Sequence, residues 1–433
     1  MNMAAHLRHE VYQASGADWL GDIPSGWAVK KMKYLFRDHS QKGRPNAELL
    51  SVTQNQGVVP RSWVENRMVM PTGGLDTFKF IEKGDFAISL RSFEGGLEYC
   101  HHDGIISPAY TVLKSWHPDL EPGYYRHLFK SGAFISELQT SVVGIREGKN
   151  ISFVELSHSR MPIPPFPEQR VIAAFLDEKC AKVDEAVRIK EEQIALLRER
   201  RQILIQQAVT RGLNPTAPMK DSGIDWIGQI PAHWEVRRIK HLGQISPTRT
   251  FDRISPSDEP VVFLPMEMVL ADGTVIQSER RRSKEVFAGF TYFRKGDVVI
   301  AKITPCFENG KGAWLRDLET DFGFGTTELH VVRPTTVNGA FLFSVLNSES
   351  FLSIGEKFMV GSAGQKRVPT DFLANFPIAV PPDGEQMAIV AFIEDASLKF
   401  VNAMAIKEDQ IAALKEYKTS LINAAVTGKI KVA

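Results

Sequence analysis

Two stretches of more than forty residues, each free of glycine and proline, constrain this chain more than any other feature in it. The first is entered through Pro164-Pro165-Phe166-Pro167 and starts at Glu168-Gln169; the second is entered through Pro381-Pro382-Asp383-Gly384 and starts at Glu385-Gln386. Prolines hold the incoming chain extended, and Pro167 suits the first helical position, where its missing N–H is not needed. Glu168 and Glu385 then meet the positive end of the helix dipole. Gly212 and Gly428 read as the C-terminal stops. The spacing predicts two helices of about 43 residues, roughly 65 Å each at 1.5 Å per residue. Helices of that length lie outside the usual globular range and need a separate explanation.

The apolar pattern supplies one. Ile172, Val183, Ile194 and Ile205 recur every eleven residues, beside a column of Phe175, Ala186, Leu197 and Ala208. The second copy repeats both columns, as Ile389, Phe400, Ile411, Ile422 and Phe392, Ala403, Leu414, Ala425. Eleven residues make three turns of about 3.67 residues, which keeps a stripe nearly parallel to the axis. Packing residues are therefore expected at Ile172, Phe175, Leu176, Val183, Val187, Ile194, Leu197 and Leu204. In the second helix they are Ile389, Phe392, Ile393, Phe400, Ile411, Leu414 and Leu421. These columns read as plain core; function lies in what a stiff pair of helices does to the domains at its ends.

The 433 residues suffice for two or three domains, and 43% hydrophobic with 24% charged content is ordinary for a folded soluble chain. No apolar run approaches the length of a membrane span, and MNMAAHLRHE is too polar for a signal peptide. Three scattered cysteines, Cys100, Cys180 and Cys306, suit a reducing cytoplasm. A net charge of +1 neither suggests nor excludes nucleic acid, since binding needs local patches.

The duplication extends past the helices. Ser15 to Leu35 (SGADWLGDIPSGWAVKKMKYL) and Ser222 to Leu242 (SGIDWIGQIPAHWEVRRIKHL) are identical at eleven of twenty-one positions. Lys83-Gly84-Asp85 and Lys295-Gly296-Asp297 each lead a turn into a strand, and Val143-Gly144 pairs with Val360-Gly361. The implied order is an N-terminal extension (1–14), a domain (15–163), a long helix (164–212), a linker (213–221), a second domain (222–380) and a second long helix (381–430). Short β-rich runs at Phe86–Ile88, Tyr110–Leu113, Val261–Leu264, Val298–Ile303 and Leu329–Val332 make each domain α+β around a twisted sheet. From about 36 to 140 and 243 to 358 the halves barely align. A common frame with unlike centres fits two modules doing one job on different targets, against the plainer reading of drift without functional meaning.

Two domains entered through DWxGxIPxxW, each followed by a PPxxEQ-opened helix closing on Ala-Val-Thr (Ala208–Thr210 and Ala425–Thr427), resemble the specificity subunit of type I restriction-modification enzymes. The resemblance covers nearly the whole chain, and it is the combination that is specific. It implies two target-recognition domains, each reading half of a split site in double-stranded DNA, on long antiparallel helices forming a coiled-coil-like rod. It implies two methyltransferase subunits and restriction-translocase subunits as partners. S-adenosylmethionine, ATP and Mg would then sit on those partners, with no cofactor, metal or catalytic residue in this chain.

A DNA reader needs cationic and amide side chains on exposed turns. The segments 144–150 and 361–367 supply Arg146, Lys149 and Asn150 in one half and Gln365, Lys366 and Arg367 in the other. Arg91 and Ser92, with Lys302 and Thr304, follow the two turn-strands and are the next candidates. For each, the plainer alternative is a solvated loop residue, as it is for Glu279-Arg280-Arg281-Arg282. Gly144–Asn150 lacks the spacing and the Ser/Thr of a phosphate loop, and Phe322–Gly325 precedes a strand rather than a helix. Cys100-His101-His102-Asp103 has no second cluster to complete a metal site, and Asp177-Glu178-Lys179 lies on a helix, not in a nuclease-like strand. Lys190, Arg201, Lys407 and Lys418 fall inside the apolar stripe and either snorkel, fix register or face a partner. The rival reading is a protein-interaction scaffold, two unlike binding domains on a helical tether.

Overall fold

A computed structural model describes residues 7–64, 74–143, 150–362 and 364–432. The two predicted long helices are present as Phe166–Arg211 and Asp383–Val426. They join two similar α+β domains, and the chain divides into two compact units: residues 1–191 with 408–433, and residues 192–407. Each unit thus holds one domain, part of the first long helix and part of the second.

In the first unit the domain closes through Ala28–Lys31, which pairs antiparallel with Arg160–Ile163 just before the helix begins. Its central sheet is antiparallel, in the order Phe36–Asp38, Thr111–Ser115, Phe86–Ile88, Glu98–Tyr99. Two short helices, Pro122–Leu128 and Gly132–Gln139, cover it, and Phe36, Phe86, Phe129 and Phe134 fill the space between in edge-on and tilted contacts. Ile172 and Leu176 of the first helix and Leu421, Ala424, Ala425 and Val426 of the second complete the same core. Two antiparallel pairs, the hairpin Leu50–Thr53 with Gly57–Pro60 and the longer-range pair Lys79–Ile81 with Gly104–Ile106, make a smaller second layer.

The second unit repeats this plan. Glu235–Arg238 pairs with Pro377–Val380, and the central sheet runs Gly243–Ile245, Leu329–Pro334, Val298–Ala301, Gly312–Trp314. The sheet order is that of the first domain, although the sequences between the shared motifs scarcely align. The difference lies in the second layer. Here it is a four-stranded mixed sheet of Arg280–Arg282, Pro260–Leu264, Phe322–Gly325 and Thr291–Arg294, with one parallel pair. Gly323 permits that pairing, since a Cβ there would stand 2.6 Å from the Val262 carbonyl oxygen.

Within each unit the helical segments run antiparallel. Lys418 reaches both oxygens of Asp184 at 2.7 Å, and three residues earlier Lys415 approaches Glu191, which is later in the first helix. In the second unit Arg201 Nε donates to Ser397 Oγ at 3.2 Å, and Ile205 shares a core with Ile389 and Ile393. Lys418 and Arg201 thus bind the facing helix, whereas Lys190 and Lys407 are half-buried. Ile172, Leu176, Val183, Val187, Ile194, Ile389, Ile393 and Leu421 are buried. Phe175, Leu197, Leu204, Phe400, Ile411 and Leu414 are half-buried. Phe392 departs from its column: it is 41% exposed and borders an open hollow with Ile203 and Leu204.

Candidate nucleic-acid interface

The shared motifs turn out to frame the site rather than form it. Gln169 and Gln386, of the repeated Glu-Gln pair, are buried. Gln169 accepts from Glu121 N at 2.9 Å and donates to the carbonyls of Asp119 and Pro164. Gln386 accepts from Asn338 N at 2.7 Å and donates to the Pro381 carbonyl. Each amide fastens the start of a long helix to the start of the helical pair in its own domain by pairing backbone groups of both segments.

The DWxGxIPxxW motif receives the far end of a long helix. In the first unit Gly428, at φ +69°, leaves room for Pro24 and Trp27, and Tyr124 Oη donates to the Val426 carbonyl at 2.7 Å. In the second unit Gly212, at φ +71°, sits over Trp234 in the same way. Residues 12–14, assigned from sequence to an extension, pair with Asp22–Pro24 as Met219–Asp221 pairs with Gln229–Pro231. They belong to this receiving hairpin.

On that frame the exposed turns carry the polar side chains expected to meet DNA. In the second domain two separately predicted groups come together. Ile303 bridges Arg367, Thr304 N donates to the Lys366 carbonyl at 3.0 Å, and Val368 N donates to the Lys302 carbonyl at 2.8 Å. Gln365 and Lys366 are exposed, and Lys302 is half-buried. Arg367 is exposed but forked onto Glu328, at 2.9 and 2.8 Å, and this pair holds the Glu328 carboxyl below its usual range. Thr304 spends its hydroxyl on Glu308.

In the first domain Arg91 and Asn150 are exposed, and the helical turn Ser92–Gly95 lies against Asn150–Ile151. Ser92 does not belong to the exposed set: it is fully buried, its hydroxyl accepting from Ser89 N at 2.8 Å. Adjacent residues at that turn point to opposite sides, which sequence alone does not resolve. Arg146 and Lys149 lie outside the described residues. Arg280, Arg281 and Arg282 are paired with Glu319, Glu279 and Asp258, as a solvated face would be.

A groove of about 750 Å³ in the first domain had no sequence signal from the repeat. Gln54, Asn55, Gln56, Trp63 and Arg91 line it. Beneath it Lys130 Nζ binds the carbonyls of Gln54 and Gly95, at 3.1 and 2.9 Å, and Glu98 at 2.7 Å. Burial pushes the Glu98 carboxyl up to about 7, against the opposing pull of Lys130. Among the described residues there is no cluster of three or more His, Cys, Asp or Glu that could hold a metal ion, and no helix is long and apolar enough to cross a membrane.

Residues 231–416 match the family described as type I restriction modification DNA specificity domain. Over part of its length the chain is similar to type I specificity subunits. It is 41% identical over 166 residues to the specificity subunit of the type I restriction enzyme EcoAI of Escherichia coli, a match covering 37% of this chain. That match spans only 28% of the EcoAI subunit. The specificity subunit of MjaVIII from Methanocaldococcus jannaschii is 22% identical over 356 residues, covering 81% of this chain and 80% of that one. The fold matches the HsdS subunit of Thermoanaerobacter tengcongensis with a TM-score of 0.51 at 17% identity, over 94% of this chain and 98% of that one. A chain from a type I R-M system assembly gives a TM-score of 0.66 at 16% identity, covering 93% of this chain and 98% of that one.

Proposed function

We propose that this chain is the non-catalytic DNA-specificity subunit of a type I restriction-modification system, working in the cytoplasm on an asymmetric, split DNA site. Residues 15–163 and 222–380 are the two target-recognition domains, 164–212 and 381–430 the spacer helices, and 213–221 the linker. The observation that carries this reading is a frame built twice with unlike reading layers. The sheet order, the glutamine staple and the helix-end receptor recur, while the second layer and the exposed turns differ. Duplicating a frame while varying its exposed chemistry suits two half-sites of different sequence.

Gln365 and Lys366 in the second domain and Arg91 and Asn150 in the first supply the residue types that contact phosphates and base edges. Methyltransferase and restriction-translocase subunits would bring S-adenosylmethionine, ATP and Mg. Exposed apolar side chains on helical segments of the second unit, Leu196, Leu398 and Ile406, offer surface of the kind a protein partner covers. The test is an exchange of residues 36–140 for those of another specificity subunit, in a host also making the methylating partner. Sequencing of methylated adenines should then show one half-site changed and the other retained. Simultaneous change of both halves would refute the modular assignment.

A further inference from the structure

The groove of the first domain is built from the tip of a single hairpin. Strands Leu50–Thr53 and Gly57–Pro60 are almost wholly buried, so only Gln54, Asn55 and Gln56 emerge, and all three are exposed. The tip is fixed from several sides. Thr53 Oγ1 accepts from Gln56 N at 3.1 Å and donates to the Gly57 carbonyl at 2.9 Å. Gly57, at φ +75°, lies so close to the sheet that a Cβ would stand 2.5 Å from the Tyr99 carbonyl oxygen. The Lys130 ammonium, anchored on buried Glu98, holds the Gln54 carbonyl from below.

The pinned backbone sets three amide side chains at one edge of the groove, with Gln54 Nε2 donating to the Arg91 carbonyl at 3.4 Å and so tying the turn to Arg91. Beside them Arg91 is exposed, and among the described residues none that lines the groove is acidic. Trp63 and Leu90, 62% and 51% exposed, give the rim apolar surface. A concavity whose described lining offers amide, guanidinium and apolar groups matches what the major groove displays. Amides pair bidentately with adenine N6 and N7, a guanidinium with guanine or phosphate, and an apolar side chain meets the thymine methyl.

We infer that the Gln54-Asn55-Gln56 turn is the base-reading element of the first domain, selecting A·T pairs in one half-site, with Arg91 as its neighbouring guanine or phosphate contact. This rests on the proposed function and assigns its first half-site to named side chains. Lys130 is a positioning residue that acts through the turn.

The test uses the full chain with its methylating partner, read by sequencing methylated adenines in the host genome. Replacing Gln54, Asn55 and Gln56 singly by alanine should relax A·T preference in one half-site by about five- to a hundred-fold per lost bidentate contact, leaving the other half-site intact. Asn55→Asp should move the preference at its position from adenine towards cytosine, whose N4 donates to a carboxylate; a merely structural turn would not produce that switch. Unchanged half-sites in all the variants, with a split site in the wild type, would overturn this inference alone. A wild-type chain giving no split-site methylation would overturn both this inference and the proposed function.

Discussion

The docking of each long helix end onto a tryptophan-bearing hairpin can be measured through three glycines. Gly428, Gly212 and Gly223 share φ near +70°, so replacement by alanine costs each about 1–2 kcal/mol from the left-handed backbone. They differ in what a methyl would meet. At Gly223 nothing lies within 4 Å; at Gly212 the nearest atom is Trp234 Cζ2 at 3.0 Å; at Gly428 the rigid Pro24 ring stands 2.3 Å away, with Trp27 at 3.1 Å. Overpacking of a closed contact adds about 1–3 kcal/mol, so Gly428→Ala should total about 2–5 kcal/mol. For a cooperative unit near 200 residues, each kcal/mol lowers Tm by about 2–4 °C. Scanning calorimetry of the full chain should rank the losses Gly428 above Gly212 above Gly223. A Gly428→Ala variant no less stable than Gly223→Ala would show that the helix end does not close against the hairpin.

Asp85 offers a pH test. Burial, and secondarily the charge of Asp103, push its carboxyl up to about 7. The folded state therefore keeps a proton that the unfolded state releases near 4, and stability contributed in acid is lost as pH rises through about 4 to 7. Asp85→Asn should flatten part of that decline and stabilise the chain at pH 8 by at most about 4 kcal/mol; unchanged urea midpoints at pH 5 and 8 would contradict it. Lys366→Ala, and likewise Lys149→Ala, should weaken DNA binding across sequences and lower the salt slope by about one, measured by titration at several salt concentrations. Adding one helical turn to both spacer helices should lengthen the gap between half-sites by one or two base pairs, since about 5.4 Å of helix corresponds to that much duplex; methylome sequencing of the insertion variant reads the gap directly.

The long helices were legible because their signal is local and periodic. Ile172, Val183, Ile194 and Ile205, one predicted column, are all buried. The β-runs were legible for the same reason, and Phe86–Ile88 and Leu329–Val332 lie within central strands. What escaped was long-range. Trp27 and Trp234 stood out as repeated residues, but the surface each covers belongs to a helix end, and for Trp27 that end is about four hundred residues away. Nothing local to either segment encodes the pairing. The shared sheet order was hidden because buried strands accept exchange among Val, Ile and Phe, so identity fades while topology persists. Gln54-Asn55-Gln56 escaped because repeat comparison finds what the halves share, and a reading element is where they differ.

The most direct measurement is the methylome of a host given this chain and its methylating partner. The account predicts methylated adenines within one asymmetric motif of two unlike half-sites at a constant separation. Absence of methylation, or a single uninterrupted or palindromic motif, would contradict it.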